Sequence, residues 1–156
     1  MGSQSEIVVR EATLQDRKAL RVWYCDPLRT AYRKNLPSRP SFKQHSARYS
    51  KICSCADSKL YIGLIDILRI GVVCFEPRER SAFEAKLYLK PSYCGKGLAP
   101  LFLKAAGDKL VAMTDAKSIY LDTTRPNKAS ELQFAAAGFV TNSKHEGLLR
   151  VELALQ

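Results

Sequence analysis

The sequence predicts an α/β (α+β) domain in which a mixed central sheet carries helices on both faces. Three observations predict it. Apolar or alternating runs of strand length interleave with amphipathic runs of helical length along all 156 residues. A strand over 83–89 passes through a loop with two glycines straight into a long helix, whose apolar positions Leu98, Leu101, Phe102, Ala105, Ala106 and Leu110 share one face. With 46% hydrophobic and 26% charged residues, a chain of this length can bury one core, so residues 1–156 are read as a single domain.

The elements follow in order. Residues 7–10 read as a first strand. Thr13 is a good N-cap with Asp16 three positions on, which predicts a helix over 13–24. Asp26-Pro27 breaks it, and Pro37 and Pro40 exclude a helix interior over 35–40. Ser41 then caps a second helix to about residue 53. Residues 60–65 and 70–76 alternate or run apolar and read as strands, and 83–89 is the strand before the glycine loop. The long helix covers 98–113, a strand 118–123, and a further helix 127–137, with Gly138 as its C-cap. Strands over 139–142 and 149–155 close the sheet. No internal repeat, linker or low-complexity tract appears.

Composition removes several classes. No apolar run reaches the length of a membrane span. The first residues lack the basic flank and apolar core of a secretory signal, and Glu6 stands where the myristoylation pattern needs Ser or Thr. A cytoplasmic protein is the expectation. The five cysteines form no CxxC pair, and His45 and His145 stand alone, so no metal is expected and the thiols are read as reduced and mostly buried. Net charge is +10, and between Arg10 and Lys51 eleven Lys or Arg face three acids, which is eight of that excess. Nucleic acid is a rival partner for any basic patch, but aromatic interleaving is sparse and no nucleic-acid motif appears, so none is expected. A merely solvated basic face stays open.

The glycine loop carries the chemistry. The first amides of a helix have no partner within it, and they point at whatever sits in front of them. Gly95 and Gly97 let the backbone bend and a ligand approach closely. A phosphate or pyrophosphate is the natural occupant. There is no G-x-x-x-x-G-K-[ST] for a Walker-type NTPase and no G-x-G-x-x-G after an early strand for a dinucleotide.

The stretch Cys94-Gly-Lys-Gly97-Leu-Ala99 resembles the acetyl-CoA pyrophosphate loop of the GCN5-related N-acetyltransferase (GNAT) superfamily, which reads roughly Arg/Gln-x-x-Gly-x-Gly/Ala. Cys94 departs from it, standing where a long polar side chain is usual. A second segment, Asn127 to Phe139, is similar to the family's Asn-x-x-Ala/Ser-x-x-x-Tyr/Phe-x-x-x-Gly-Phe. The resemblance implies acetyl-CoA as cofactor. It implies that Leu87, Tyr88 and Leu89 flank the pantetheine arm and polarise the thioester, and that Cys94, Gly95, Lys96, Gly97, Leu98 and Ala99 cradle the pyrophosphate. Asn127 and Phe134 complete that side. It implies Glu84, the strand's sole carboxylate, as the base that deprotonates the amine. Many relatives use a Tyr as acid where this chain has Phe134, so Ser130 or a water is the candidate substitute.

Trp23-Tyr-Cys-Asp-Pro-Leu-Arg29, then Asn35, then Phe42-Lys-Gln-His45, is similar to a bacterial subgroup that acetylates nucleotide-linked amino sugars. The match is partial: Tyr24-Cys25 replaces Arg-Asn, and Arg48 stands where Trp is common. It implies Trp23, Arg29, Asn35 and His45 as acceptor contacts; Trp23 could equally be a packing aromatic, Arg29 a surface charge and His45 a structural residue. In the family this basic N-terminal part forms the acceptor side, which suits an anionic acceptor. The expected activity is N-acetylation of a small primary amine. Acetylation of a protein N-terminus or lysine, and a non-catalytic acyl-CoA-binding module, are the alternatives; Cys94 and Phe134 favour the latter. The oligomeric state stays open, homodimers being common in the family.

Overall fold

The computed structural model describes residues 6–24, 58–123, 128–143 and 149–155. The strands are β1 (Ile7–Glu11), β2 (Lys59–Ile65), β3 (Leu68–Pro77), β4 (Ala82–Leu89), β5 (Ser118–Thr123), β6 (Val140–Ser143) and β7 (Leu149–Ala154). The helices are α1 (Arg17–Tyr24), α2 (Leu98–Met113) and α3 (Lys128–Ala136). The strands make one sheet in the order β1-β2-β3-β4-β5-β7-β6. Among the described residues only β4 and β5 run parallel, joined through α2. The expected mixed sheet is therefore present. The second helix expected from Ser41 lies outside the described residues.

Helices cover both faces, and the burial pattern follows. The central strand β3 buries Ile70, Val72, Val73 and Phe75, where a one-sided sheet would alternate. On one face α1 packs Leu20 and Trp23 onto Ile62 and Val72. On the other, α2 brings Phe102, Leu103, Ala106 and Leu110 against Tyr61, Val73, Phe75, Phe83, Ala85 and Ile119. Phe134 and Phe139 extend that second core.

The expected helix over 13–24 is a 3-10 turn, Leu14–Asp16, followed by α1. The capping box explains the tight start. The Asp16 carboxylate accepts from the Thr13 amide at 2.8 Å, and the Asp16 amide donates to the Thr13 carbonyl at 3.0 Å. Asp16 is fully buried and also takes two bonds from Arg10, at 2.8 and 2.9 Å, and one from Arg69 at 2.8 Å. Burial would raise this carboxyl's pKa, but the bonds from Arg10, Thr13 and Arg69 hold it well below the usual carboxylate range. One acid thus ties together β1, the start of α1 and β3.

The end of α3 is also sharply made. Gly138, at φ +98°, donates to the Ala135 carbonyl at 3.0 Å, and Phe139 donates to the Phe134 carbonyl at 3.0 Å. These are the two bonds of a Schellman cap, and its apolar contact is the edge-on pair Phe134–Phe139, 5.1 Å between centroids. Phe139, expected to open a strand, belongs to this cap, so β6 begins at Val140.

Candidate active site

β4 and β5 are in register over three pairs only: Ala82 with Ser118, Phe83 with Ile119, and Glu84 with Tyr120. Beyond Glu84 the two strands part. The far half of β4 stays paired with β3 out to Leu89, opposite Gly71. Its other edge faces no strand among the described residues. The Lys90 amide donates to the Ile70 carbonyl at 2.9 Å. Peptide groups one residue apart point to opposite edges, so Tyr88 also faces β3, while the amides of Leu87 and Leu89 face the gap. Two backbone donors are thus left for a ligand inside the sheet.

At the mouth of this gap lies the glycine loop. A 3-10 turn, Pro91–Tyr93, leads into Cys94. Gly95 and Gly97 have φ of +75° and +74°, the left-handed region that favours glycine, and Gly97 is the N-cap of α2. A side chain at Gly95 would meet nothing within 4 Å, whereas one at Gly97 would sit 3.3 Å from Nε2 of Gln133 on α3. The glycine therefore lets α3 dock beside the start of α2. Pro100 in the first turn has no amide to offer, so the unpaired donors at this end are Gly97, Leu98 and Ala99. Two sets of backbone donors, at the strand edge and at the helix start, thus flank a turn whose own Tyr93 and Cys94 amides are taken by the Lys90 and Pro91 carbonyls. They fit a pyrophosphate followed by an amide-bearing arm.

Cys94 stays exposed, and its thiol turns back toward the strand end, 3.7 Å from the Leu89 carbonyl and 3.6 Å from that of Lys90. The expectation of mostly buried thiols thus fails here, and Cys74 is only half-buried. Cys25, Cys53 and Cys55 lie outside the described residues. Lys96 sits 6.0 Å from the Tyr93 ring centroid. Phe134 is buried in the core by the Schellman cap rather than turned to the loop. Ser130 lies in the first turn of α3. Asn127, Arg29, Asn35 and His45 fall outside the described residues. Trp23 is buried and stacks on Tyr88 of β4, 5.6 Å between centroids, so it backs the strand that borders the gap.

Glu84 points to the face opposite α2 and α3, since its neighbours Phe83 and Ala85 enter the core on their side. Its carboxylate accepts from Arg78 at 2.7 Å, and Arg78 also bonds Glu76 at 2.8 Å. Lys86 reaches Glu76 at 3.3 Å. Burial works to raise Glu76, but Arg78 and Lys86 lower it, and the two carboxylates in turn raise Arg78. Tyr120 lies in the neighbouring register position. The Arg150 guanidinium sits 3.9 Å over its ring centroid and forks onto Asp122 at 2.7 and 2.9 Å. Burial and the Glu84 charge push the Tyr120 phenol up.

Sequence reading did not single out Arg78, Tyr120, Arg150 or Gln133. The period of two on β5, with Ile119 and Leu121 apolar and Tyr120 and Asp122 polar, is a signal for Tyr120. The Arg78 and Gln133 contacts depend on turn and helix placement and leave no local signal. Among the described residues, no helix is long and apolar enough to cross a membrane.

The family model described as the acetyltransferase (GNAT) domain matches residues 6–140. No curated protein matches the chain. Solved structures do. The spermidine N-acetyltransferase of Vibrio cholerae, in complex with CoA and spermine, superposes with a TM-score of 0.79 at 18% identity, over 97% of this chain and 96% of that one. A domain from Methanocaldococcus jannaschii gives 0.74 at 20% identity, over 97% and 100%. A GNAT-family acetyltransferase from Streptococcus pneumoniae gives 0.68 at 16%, over 97% and 100%. At such identities the likeness establishes the fold.

Proposed function

The chain belongs to the GNAT acetyltransferase family, and from that premise we propose that it acetylates the primary amine of a small molecule with an anionic body, such as a nucleotide-linked amino sugar. GNAT enzymes are N-acetyltransferases that use acetyl-CoA, and this chain is one of them. The observation that carries the acceptor class is charge. Eight of the ten excess positive charges fall between Arg10 and Lys51. Such a field draws anions and repels polycations.

Bound acetyl-CoA supplies an acyl group activated as a thioester. The amides from Gly95 to Ala99 would receive the pyrophosphate, with Lys96 adding charge. The Cys94 amide is taken by the Pro91 carbonyl at 3.2 Å, so Cys94 would shape the loop rather than donate from its backbone, and Leu87, Tyr88 and Leu89 would run beside the pantetheine. We assign one of the gap-facing amides of Leu87 and Leu89 as the donor to the thioester oxygen and the other as a partner of the arm's amide carbonyl, since two residues along a strand stand about 6.6 Å apart and cannot share one oxygen. Glu84 is the base. It removes the proton that keeps the amine from attacking, and its bond to Arg78 fixes the carboxylate's direction. Ser130 or a water would be the source of a proton for the departing thiol, although a thiolate can also leave unaided because thiols are far more acidic than alcohols. Asn127 remains a cofactor contact by resemblance. Phe134 acts by holding α3 in position, and Trp23 by backing Tyr88. Arg29, Asn35 and His45 remain acceptor contacts by resemblance.

A polyamine is the second reading, favoured by the fold likeness to a spermidine N-acetyltransferase. The test is thiol release from acetyl-CoA against nucleotide-linked amino sugars, spermidine, aminoglycosides and peptides, repeated at rising salt. We expect release with the nucleotide-linked amino sugar and a kcat/KM that falls as salt screens the attraction. Release with spermidine alone would overturn the anionic acceptor.

A further inference from the structure

We propose that Tyr120 is a specificity-determining residue of the acceptor site, its hydroxyl donating a hydrogen bond to an oxygen on the acceptor skeleton beside the reacting amine. The proposal rests on the reading that Glu84 marks the acceptor side of the sheet. Glu84 and Tyr120 are the last pair in register before β4 and β5 part. Residues paired across strands share a face, and the preceding pair, Phe83 and Ile119, is buried in the opposite core. Tyr120 therefore stands beside Glu84 at the apex of the gap, on the side away from α2 and α3.

Its ring is held there. The Arg150 guanidinium covers one face at 3.9 Å, and Arg150 cannot turn away without breaking its forked bond to Asp122. The hydroxyl has no hydrogen-bond partner among the described residues, although the residue is half-buried. The hydroxyl is open to solvent, so a ligand oxygen can replace the water that meets it without breaking any bond within the protein. A phenol of ordinary value 10.0 is protonated at neutral pH in any case, so it can act as a donor.

The surroundings choose the ligand's chemistry. A ring face already covered by a guanidinium offers no seat to a second cation there. Arg78 is offset by Glu76 and Glu84, Arg150 by Asp122, and Glu152 pairs with Tyr120 across the sheet, so charge at this spot does not choose; what an alkyl polyamine lacks is an oxygen to accept from the hydroxyl. An amine with a neighbouring hydroxyl or ring oxygen, as in an amino sugar, satisfies Tyr120 and presents a single ammonium to Glu84.

The test is Tyr120→Phe, which removes one oxygen and leaves the ring under Arg150. For a nucleotide-linked amino sugar, KM should rise about fivefold to tenfold, the worth of one neutral hydrogen bond, with kcat nearly unchanged. Acetyl-CoA affinity by titration should stay at the wild-type value, as should the KM of any alkyl diamine that is turned over. An unchanged KM for the amino sugar, or an equal rise for the diamine, overturns the role of Tyr120 and leaves the acceptor class standing. A wild-type enzyme that acetylates diamines but no oxygen-bearing amine overturns both together.

Discussion

Replacing Asp16 with Asn tests whether one buried charge holds three elements together. The carboxylate is fully buried and accepts two bonds from Arg10, one from Arg69 and one from the Thr13 amide, all at 2.8 to 2.9 Å. Asn has the same shape but a single acceptor oxygen, and its amide nitrogen would face donors. Two arginines would lose their counter-charge, although both are partly exposed, at 38%, and water recovers part of the loss. Breaking a buried pair by removing one partner costs about 3–5 kcal/mol, and the partial exposure puts this case near the lower bound, at about 3 kcal/mol. For a chain of this size that lowers Tm by roughly 6–12 °C. The pH dependence gives a second measurement. The carboxyl's ordinary value is 3.8, and in the fold it lies lower. A depressed pKa stabilises fully above the unfolded value and less as pH falls through it toward the folded one. At pH 3 the gap between wild type and variant should therefore shrink by about 1 kcal/mol relative to pH 7. Urea unfolding at the two pH values measures it. A gap equal at both, or a Tm within about 2 °C of wild type, would refute the ionic account.

Two further predictions concern the reaction. Glu84→Gln should lower kcat at neutral pH by roughly a hundredfold or more, the usual worth of a general base, while titration finds acetyl-CoA affinity unchanged; wild-type turnover across the pH range would remove Glu84 from that role. Gly97→Val should abolish acetyl-CoA binding. Its φ of +74° is one a β-branched residue avoids, so the loop must leave the conformation that aims its amides, and its Cβ would also lie 3.3 Å from the end of the Gln133 side chain. Undiminished binding by calorimetry would put the cofactor elsewhere.

Local signals carried far into this fold. The bounds of α2, the Thr13–Asp16 box and the Gly138 cap were all legible, because each depends on neighbours within a few residues. What the sequence hid depends on register. Arg78 meets Glu84 because the turn between β3 and β4 puts Arg80 and Ser81 at φ near +60° without a glycine to signal it. Phe134 occupies a position where relatives show a catalytic aromatic, and only the cap geometry reveals that its ring faces the core. For Trp23 the motif offers both an acceptor contact and a packing aromatic, and its stacking on Tyr88 is a contact between distant elements that leaves no local signal. Arg29, Asn35 and His45 lie outside the described residues, so the charge of the stretch from Arg10 to Lys51 is known from the sequence and its place beside the site is not.

The parting of β4 from β5 has a consequence for the empty protein. A sheet ordinarily exposes raw edges only at its two ends, where charges and prolines discourage other chains from pairing. Here a third edge opens in the middle, bearing the amides of Leu87 and Leu89. The cofactor's amide arm would serve as a temporary strand that closes it. Without that arm the same groups can accept a foreign strand as readily as a substrate. Saturating the enzyme with CoA during purification should therefore do for its solubility what an edge proline does for other sheets.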